Sequence, residues 1–399
     1  IVLEIIALRQ KKATLLGYDN YAQWSLQKSV AKTPQTVMNF FERLLKPTFE
    51  KVAKEVACLK DFSGQDQIAP HNWDYYAEKV RKAQYDLDEN QLKPYFELFN
   101  VLEKGVFHAA TELYGITFKR RTDLPVYHPD VVVYELFEAD GFPLGLYYGD
   151  FYTRESKRGG AWMSELVTPS KLFGQKPVIY NVCNYTPPTQ ELPCLLSFSE
   201  VETLFHEFGH ALHAFFAEQQ YATLAGTAVA RDFVEFPSQF NEYWALHPEV
   251  LPHYARHYLS QEVITPSLIE KLKASREFNR GYAFCEVLAS AYLDMQWHTL
   301  PASAQVTEVA AFENEAIKRF PKEVPVRYRS FYFSHIFGGG YAAGYYAYQY
   351  SEILAEDTYH WFESHGGLTR QNGDRFRSLI LSRGNTMDYQ EMMKLMIND

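Results

Sequence analysis

His206-Glu207-Phe208-Gly209-His210 sets two imidazoles four residues apart, and Arg231-Asp232-Phe233-Val234-Glu235-Phe236-Pro237-Ser238-Gln239 comes further along the chain. On a helix, residues i and i+4 lie one turn apart on one face. His206 and His210 can therefore reach one metal ion, and Glu207 can reach a water held there. A third ligand is needed, and Glu235 is the best candidate. Two histidines, a distant carboxylate and an adjacent acid are the outfit of a zinc hydrolase that cuts peptide bonds.

Val201, Leu204, Phe205, Phe208, Ala211, Leu212 and Phe215 surround the motif with apolar positions. Such a helix packs on more than one side, which holds metal ligands still. Ser199 and Glu202 read as a capping box at its start. Glu207 reads as the general base, taking a proton from the attacking water and returning one to the leaving amine. His213 lies near the same face. Three ligands on consecutive turns of one straight helix rarely converge, so it reads as a packing or ligand-supporting histidine. Phe216 stands where a longer histidine motif would place its third ligand. Asp232 and Glu242 are each within reach of Glu235 along the chain, and either can orient a ligand histidine through its second ring nitrogen.

The chain has 399 residues, 47% hydrophobic, with a net charge of -10. That length allows about two to three domain-sized units or one elongated helical body. The acidic balance argues against nucleic acid, while a local pocket can still take peptides. No apolar stretch reaches the ~18 residues of a membrane span. The start, Ile1-Val2-Leu3-Glu4-Ile5-Ile6-Ala7, is too short and too soon charged for a signal peptide. Opening on Ile1 rather than Met, the chain reads as a fragment or a processed product. Cys58, Cys183, Cys194 and Cys285 are sparse and unpatterned, as free thiols in a reducing compartment are. Asn184-Tyr185-Thr186 matches a glycosylation acceptor by chance.

Residues 1 to 110 read as helices: Thr33-Pro34 is an N-cap and first-turn proline, and Pro47 and Gly64 punctuate the helical pattern after it. Residues 111 to 190 carry a small mixed sheet with flanking loops. Its strands are Asp130 to Phe137, Leu144 to Tyr148 and Pro177 to Val182, the first two joined by the turn Glu138-Ala139-Asp140-Gly141. The glycines of Arg158-Gly159-Gly160-Ala161-Trp162 permit close backbone approach. Residues 191 to 399 return to helix and hold both the metal motif and a tyrosine segment. There Tyr341, Tyr345 and Tyr348 share a helical face. The stripe can be structural, or its hydroxyls can donate to a developing oxyanion with His335 beside them.

Three blocks in order, His206 to His213, Arg231 to Gln239 and Phe333 to Tyr348, resemble the thimet oligopeptidase family of zinc metallopeptidases, with its bacterial peptidyl-dipeptidases as the nearer branch. His335 sits one residue farther from Tyr341 than in the animal enzymes. The resemblance implies one zinc ion per chain on His206, His210 and Glu235, with Glu207 as base. It implies Tyr348, helped by His335 and Tyr341, at the transition state, and Tyr345 near substrate. Gly159, Gly160 and Ala161 would pair with substrate backbone. The implied fold is mostly α with a small β-sheet, zincin-like, with a deep narrow channel for short unstructured peptides. The implied location is the cytoplasm. The N-terminal helical region of the family is absent here and would pack on this part. The expected activity is release of dipeptides from free C-termini, through a carboxylate-binding Arg, Lys, His or Tyr. The rivals are internal cleavage of oligopeptides and a catalytically inactive peptide-binding fragment.

Overall fold

A computed structural model describes residues 1–85 and 89–398. In chain order, helices α1 (Val2–Leu15) and α2 (Pro34–Ser63) come before five strands. The strands are β1 (Thr117–Arg121), β2 (Val132–Phe137), β3 (Pro143–Tyr152), β4 (Trp162–Val167) and β5 (Val178–Tyr185). Helices α3 (Phe198–Phe215), α4 (Phe236–Glu242), α5 (Arg280–His298) and α6 (Ala347–Ser364) come after them, with shorter helices between. Among the described residues helix accounts for 54% beside one five-stranded sheet, so the fold is mostly α, as the sequence indicates.

The chain divides into two compact units. One comprises Ile1–Asp88 and Ser267–Tyr350; the other comprises Glu89–Pro266 and Ser351–Asp399. In the first unit, α2 packs along α5 and buries Phe41, Leu45 and Val52 among Leu288, Tyr292 and Trp297. The Thr33 side chain accepts from the Thr36 N–H, Pro34 occupies the first turn, and Gly64 closes α2 at φ +67°. Pro47 does not interrupt the helix, as its residue type suggests, but lies inside it. The buried face on both sides of it, Phe41 and Leu45 before, Val52 and Leu59 after, makes continuation worth the lost backbone bond.

In the second unit the sheet runs β1-β2-β3-β5-β4. All pairings are antiparallel except β3 with β5, which are parallel, so the sheet is mixed. The Glu138 to Gly141 turn joins β2 to β3, with the Gly141 N–H donating to Glu138 O at 2.9 Å. Strands β1 and β4 are additional to those the sequence pattern predicts. Both are edge strands, and neither shows the apolar alternation of a half-buried strand. α3 packs across β5 and β4, and α4 packs against α3. The capping box of α3 is Ser197 with Glu200, two residues earlier than the sequence suggests. Ser199 and Glu202 already lie inside the helix. The four cysteines are free. No described helix is long and apolar enough to cross a membrane.

Candidate active site

The motif occupies the middle of α3, where tertiary contacts fix the backbone from two sides. The buried Asn181 amide on β5 donates to Glu207 O at 2.7 Å, and the Asn241 amide on α4 donates to Phe205 O at 2.6 Å. Gly209 lets α4 come close: a Cβ there would lie 2.6 Å from the Ser238 Cα and 2.9 Å from Pro237 O. Phe208 points the other way, its ring 5.3 Å from Tyr147 and 5.4 Å from Phe107. The polar face of the helix is thereby held between sheet and helix to the precision catalysis needs.

His206, His210 and Glu235 meet: their ligand atoms all lie within 4.8 Å of one another. His206 Nε2 is 3.4 Å and His210 Nε2 3.2 Å from the same oxygen, Glu235 Oε2. Glu235 is brought there by the break between the short Arg231–Val234 helix and α4, just ahead of Pro237. Glu242 Oε1 lies 2.6 Å from His206 Nδ1, so that nitrogen carries the proton toward Glu242 and Nε2 is left facing Glu235. Of the two acids considered for this task, Glu242 performs it. Asp232 is fully buried elsewhere in the kinked turn.

Electrostatics agree with the geometry. Burial disfavours charge on His206, but Glu235 and Glu242 outweigh it and hold the imidazolium well above its usual range. Burial likewise disfavours charge on Glu235, yet the two histidines hold its carboxyl well below normal. A divalent cation would bind these imidazoles in their neutral form and take the place of the proton they share with the carboxylate. Burial is the main force raising the Glu207 carboxyl; its Oε2 is buried and has no hydrogen-bond partner among the described residues. His213 is fully buried, and burial pushes it down to about 3. It is therefore a neutral packing residue and is not among the converging ligands.

Gly159, Gly160 and Ala161 lead into the edge strand β4, with Gly160 at φ +90°. The Asn184 amide fastens this loop by donating to Arg158 O and Gly160 O, both at 2.7 Å. The Lys157 ammonium anchors it from below, donating to Asp150, Tyr152 O and Cys183 O.

His335, Tyr341, Tyr345 and Tyr348 belong to the other unit, where they form one aromatic cluster. Tyr341 stacks on Tyr348 at 5.4 Å, and Tyr345 lies 5.3 Å from both Tyr348 and His335. The shared helical face is not how they meet. Residues 342–346 form turns, α6 begins only at Ala347, and Ala343 sits at φ +55°. Burial pushes the Tyr345 phenol up and His335 down, so both stay neutral near pH 7.

Three residues that fix the site, Asn181, Asn241 and Gly209, are not singled out by the sequence. An asparagine inside the apolar run Val178 to Cys183 is the visible signal for the first. The other two become meaningful only once α4 is known to cross α3.

A family model for Peptidase family M3 matches residues 1–399. The dipeptidyl carboxypeptidase of Salmonella typhimurium (strain LT2) is 50% identical over 98% of this chain. Oligopeptidase A of Escherichia coli (strain K12) is 37% identical over 99%. This chain spans 59% of the length of each of those proteins. The solved structure of PZ peptidase A with inhibitor 2 aligns at a TM-score of 0.52 with 14% identity, over 98% of this chain and 59% of that one, a likeness of fold. With a family match along all its residues and half of them identical to one relative, this chain belongs to Peptidase family M3, a family of metallopeptidases.

Proposed function

We propose that this chain is the catalytic portion of a zinc-dependent peptidyl-dipeptidase that releases dipeptides from the free C-termini of short unstructured peptides. Peptide hydrolysis rests on one observation, the convergence of His206 Nε2 and His210 Nε2 on Glu235 Oε2. Dipeptide release is favoured by the higher identity to a dipeptidyl carboxypeptidase, 50%, than to an oligopeptidase A, 37%. Zinc suits the donor set: tetrahedral ligands ~2.0–2.1 Å from that ion stand about 3.3 Å apart. The separations of 3.4 and 3.2 Å agree with it.

A cation held by His206, His210 and Glu235 supplies Lewis-acid polarisation of the peptide carbonyl and of water. The remaining tasks fall to this chain's own side chains and backbone. Glu207 Oε2, an acceptor with no other partner among the described residues, takes the proton of the attacking water and delivers it to the leaving amine. Tyr348, with His335 and Tyr341, donates to the oxyanion, a task for neutral phenols and a neutral imidazole. Tyr345 borders the substrate. The Gly159-Gly160-Ala161 loop and the edge strand β4 offer backbone groups for an extended peptide, apart from the Gly160 carbonyl that Asn184 already holds. The assignments to the tyrosines, His335 and the glycine loop rest on the family resemblance. On the same ground we place the protein in the cytoplasm and expect a further helical region to complete a narrow channel that admits unfolded peptides only.

Mass spectrometry of products from a defined peptide, run beside its C-terminal amide, tests the reading. Stepwise loss of dipeptides from the free acid and resistance of the amide are expected. Rapid internal cleavage of the amide would instead assign the activity to the oligopeptidase type.

A further inference from the structure

Asp294, one turn before the end of α5, is fully buried and points at the turn that carries the tyrosines. Its Oδ1 accepts the Ala343 N–H, and its Oδ2 accepts the N–H groups of Gly344 and Tyr345, each at 2.9 Å. The His298 Nδ1, one helical turn on, bonds the Asp294 backbone O at 2.8 Å and lies 2.7 Å from Oδ1. A carboxylate has roughly four acceptor positions, and three of them take backbone N–H groups here.

The proton on His298 can be placed by elimination. Arg9 Nη1 lies 2.8 Å from His298 Nε2, and a guanidinium only donates. Nε2 must therefore accept, so the ring proton is on Nδ1 and is donated to the Asp294 backbone O, with the carboxylate Oδ1 beside it. Arg9, reaching over from α1 and flanked by the Tyr21 and Phe337 rings, thus balances the buried carboxylate through a neutral imidazole. The chain Arg9–His298–Asp294 ends on three successive backbone N–H groups.

Those groups belong to the residues between Tyr341 and Tyr348. Ala343 is held at φ +55°, a conformation a non-glycine residue keeps only when its surroundings impose it. The Ser25 hydroxyl adds a bond to Ala342 O at 3.2 Å and the Gly344 N–H also reaches Tyr341 O at 2.8 Å, while among the described residues the carboxylate is the one side chain that gathers the N–H groups of 343 to 345. We propose that Asp294, backed by His298 and Arg9, is the positioning residue of the tyrosine segment. In this role it sets where the Tyr345 and Tyr348 hydroxyls stand when they meet substrate. The inference rests on the role given to those tyrosines under the proposed function.

The test is a double-mutant cycle in the full-length enzyme, pairing Asp294→Asn with Tyr348→Phe. It reads kcat and KM on a fluorogenic peptide and metal bound per chain. Asp294→Asn keeps the shape but turns an amide N–H toward backbone N–H donors. A loss of about 10–100-fold in kcat is expected, as for a catalytic group displaced by ~1 Å. KM should change by less than about 3-fold and metal content should not change, since only an interaction made in the transition state is weakened. Tyr348→Phe should then cost at least about 5-fold less in the Asp294→Asn background than in the parent. Arg9→Met, a milder cut at the far end of the chain, should show coupling of the same sign, and it carries the test if Asp294→Asn fails to fold. Additive effects in the cycle that folds overturn the positioning role while leaving the tyrosine assignment intact. A Tyr348→Phe that costs nothing in the parent overturns that assignment and this inference with it.

Discussion

His206 and His210 stand on eighteen residues of unbroken helix, capped by Ser197 and Glu200. Tyr341 and Tyr345 stand on a turn that contains a left-handed alanine. In the first region many contacts share the task of fixing geometry: helix hydrogen bonds, the Asn181 and Asn241 amides, and the tight approach of α4 at Gly209. In the second, one buried carboxylate gathers three N–H groups in a row. Regular structure places ligands by period, and any sequence that keeps the period keeps the ligands. Irregular structure places groups by a specific long-range partner, and the arrangement is only as secure as that partner.

The same contrast explains how much of the molecule is legible in its sequence. His206, His210 and Glu207 are set by a helical spacing, and a spacing is visible in sequence. So are the apolar strands β2, β3 and β5, and the helix start at Thr33-Pro34. Edge strands β1 and β4 are not, because neither face of either strand is buried, and nothing then imposes the apolar alternation that marks a half-buried strand. Pro47 looks like a break because the benefit of continuing α2 lies in its contacts with α5, residues distant in sequence. The tyrosines do cluster, but for a different reason than their spacing suggests. Intervals of three and four predict a helical stripe, whereas the rings meet around a turn set by Asp294. Nothing local to Tyr341 announces a carboxylate on another helix.

The largest effect should come from the metal helix, at the group whose part is chemical rather than structural. Glu207→Gln keeps shape and helix and removes only the capacity to take a proton. Activity should fall by ~10²–10⁴-fold, the usual contribution of a positioned acid-base group. Metal per chain and the unfolding midpoint should hold. A smaller loss, below about 10-fold, would mean that the base lies elsewhere and that α3 supplies ligands alone.

Next in size is the contact that presses α4 onto α3. In Gly209→Ala the added methyl would meet the Ser238 Cα at 2.6 Å and the Asn241 Cβ at 2.9 Å. Overpacking of this kind costs about 1–3 kcal/mol. Better helix propensity returns about 1 kcal/mol of it. A net destabilisation of up to about 2 kcal/mol in denaturant titration is expected, together with weaker metal retention under chelator, because Glu235 and Glu242 flank and end α4. Unchanged stability and retention would show that the helix pair has slack, and that the ligand geometry is set by α3 alone.

The smallest effect, and the sharpest probe of the contrast, belongs to the turn. Glycine at position 343 would relieve a left-handed alanine, worth about 1–2 kcal/mol. The same change gives the unfolded chain more freedom, at a cost of about 0.4–1 kcal/mol. Ala343→Gly should therefore leave global stability unchanged or raise it by about 1 kcal/mol, read from the denaturant midpoint. If strain is what Asp294 restrains, removing the strain should also make the segment less dependent on its carboxylate. Asp294→Asn should then destabilise the glycine variant less than it destabilises the parent. Loss of stability by more than about 1 kcal/mol on Ala343→Gly would point the other way. The alanine methyl, packed with no exposure, would then be holding the turn by contact, and the tyrosine region would be fixed by packing much as the metal helix is.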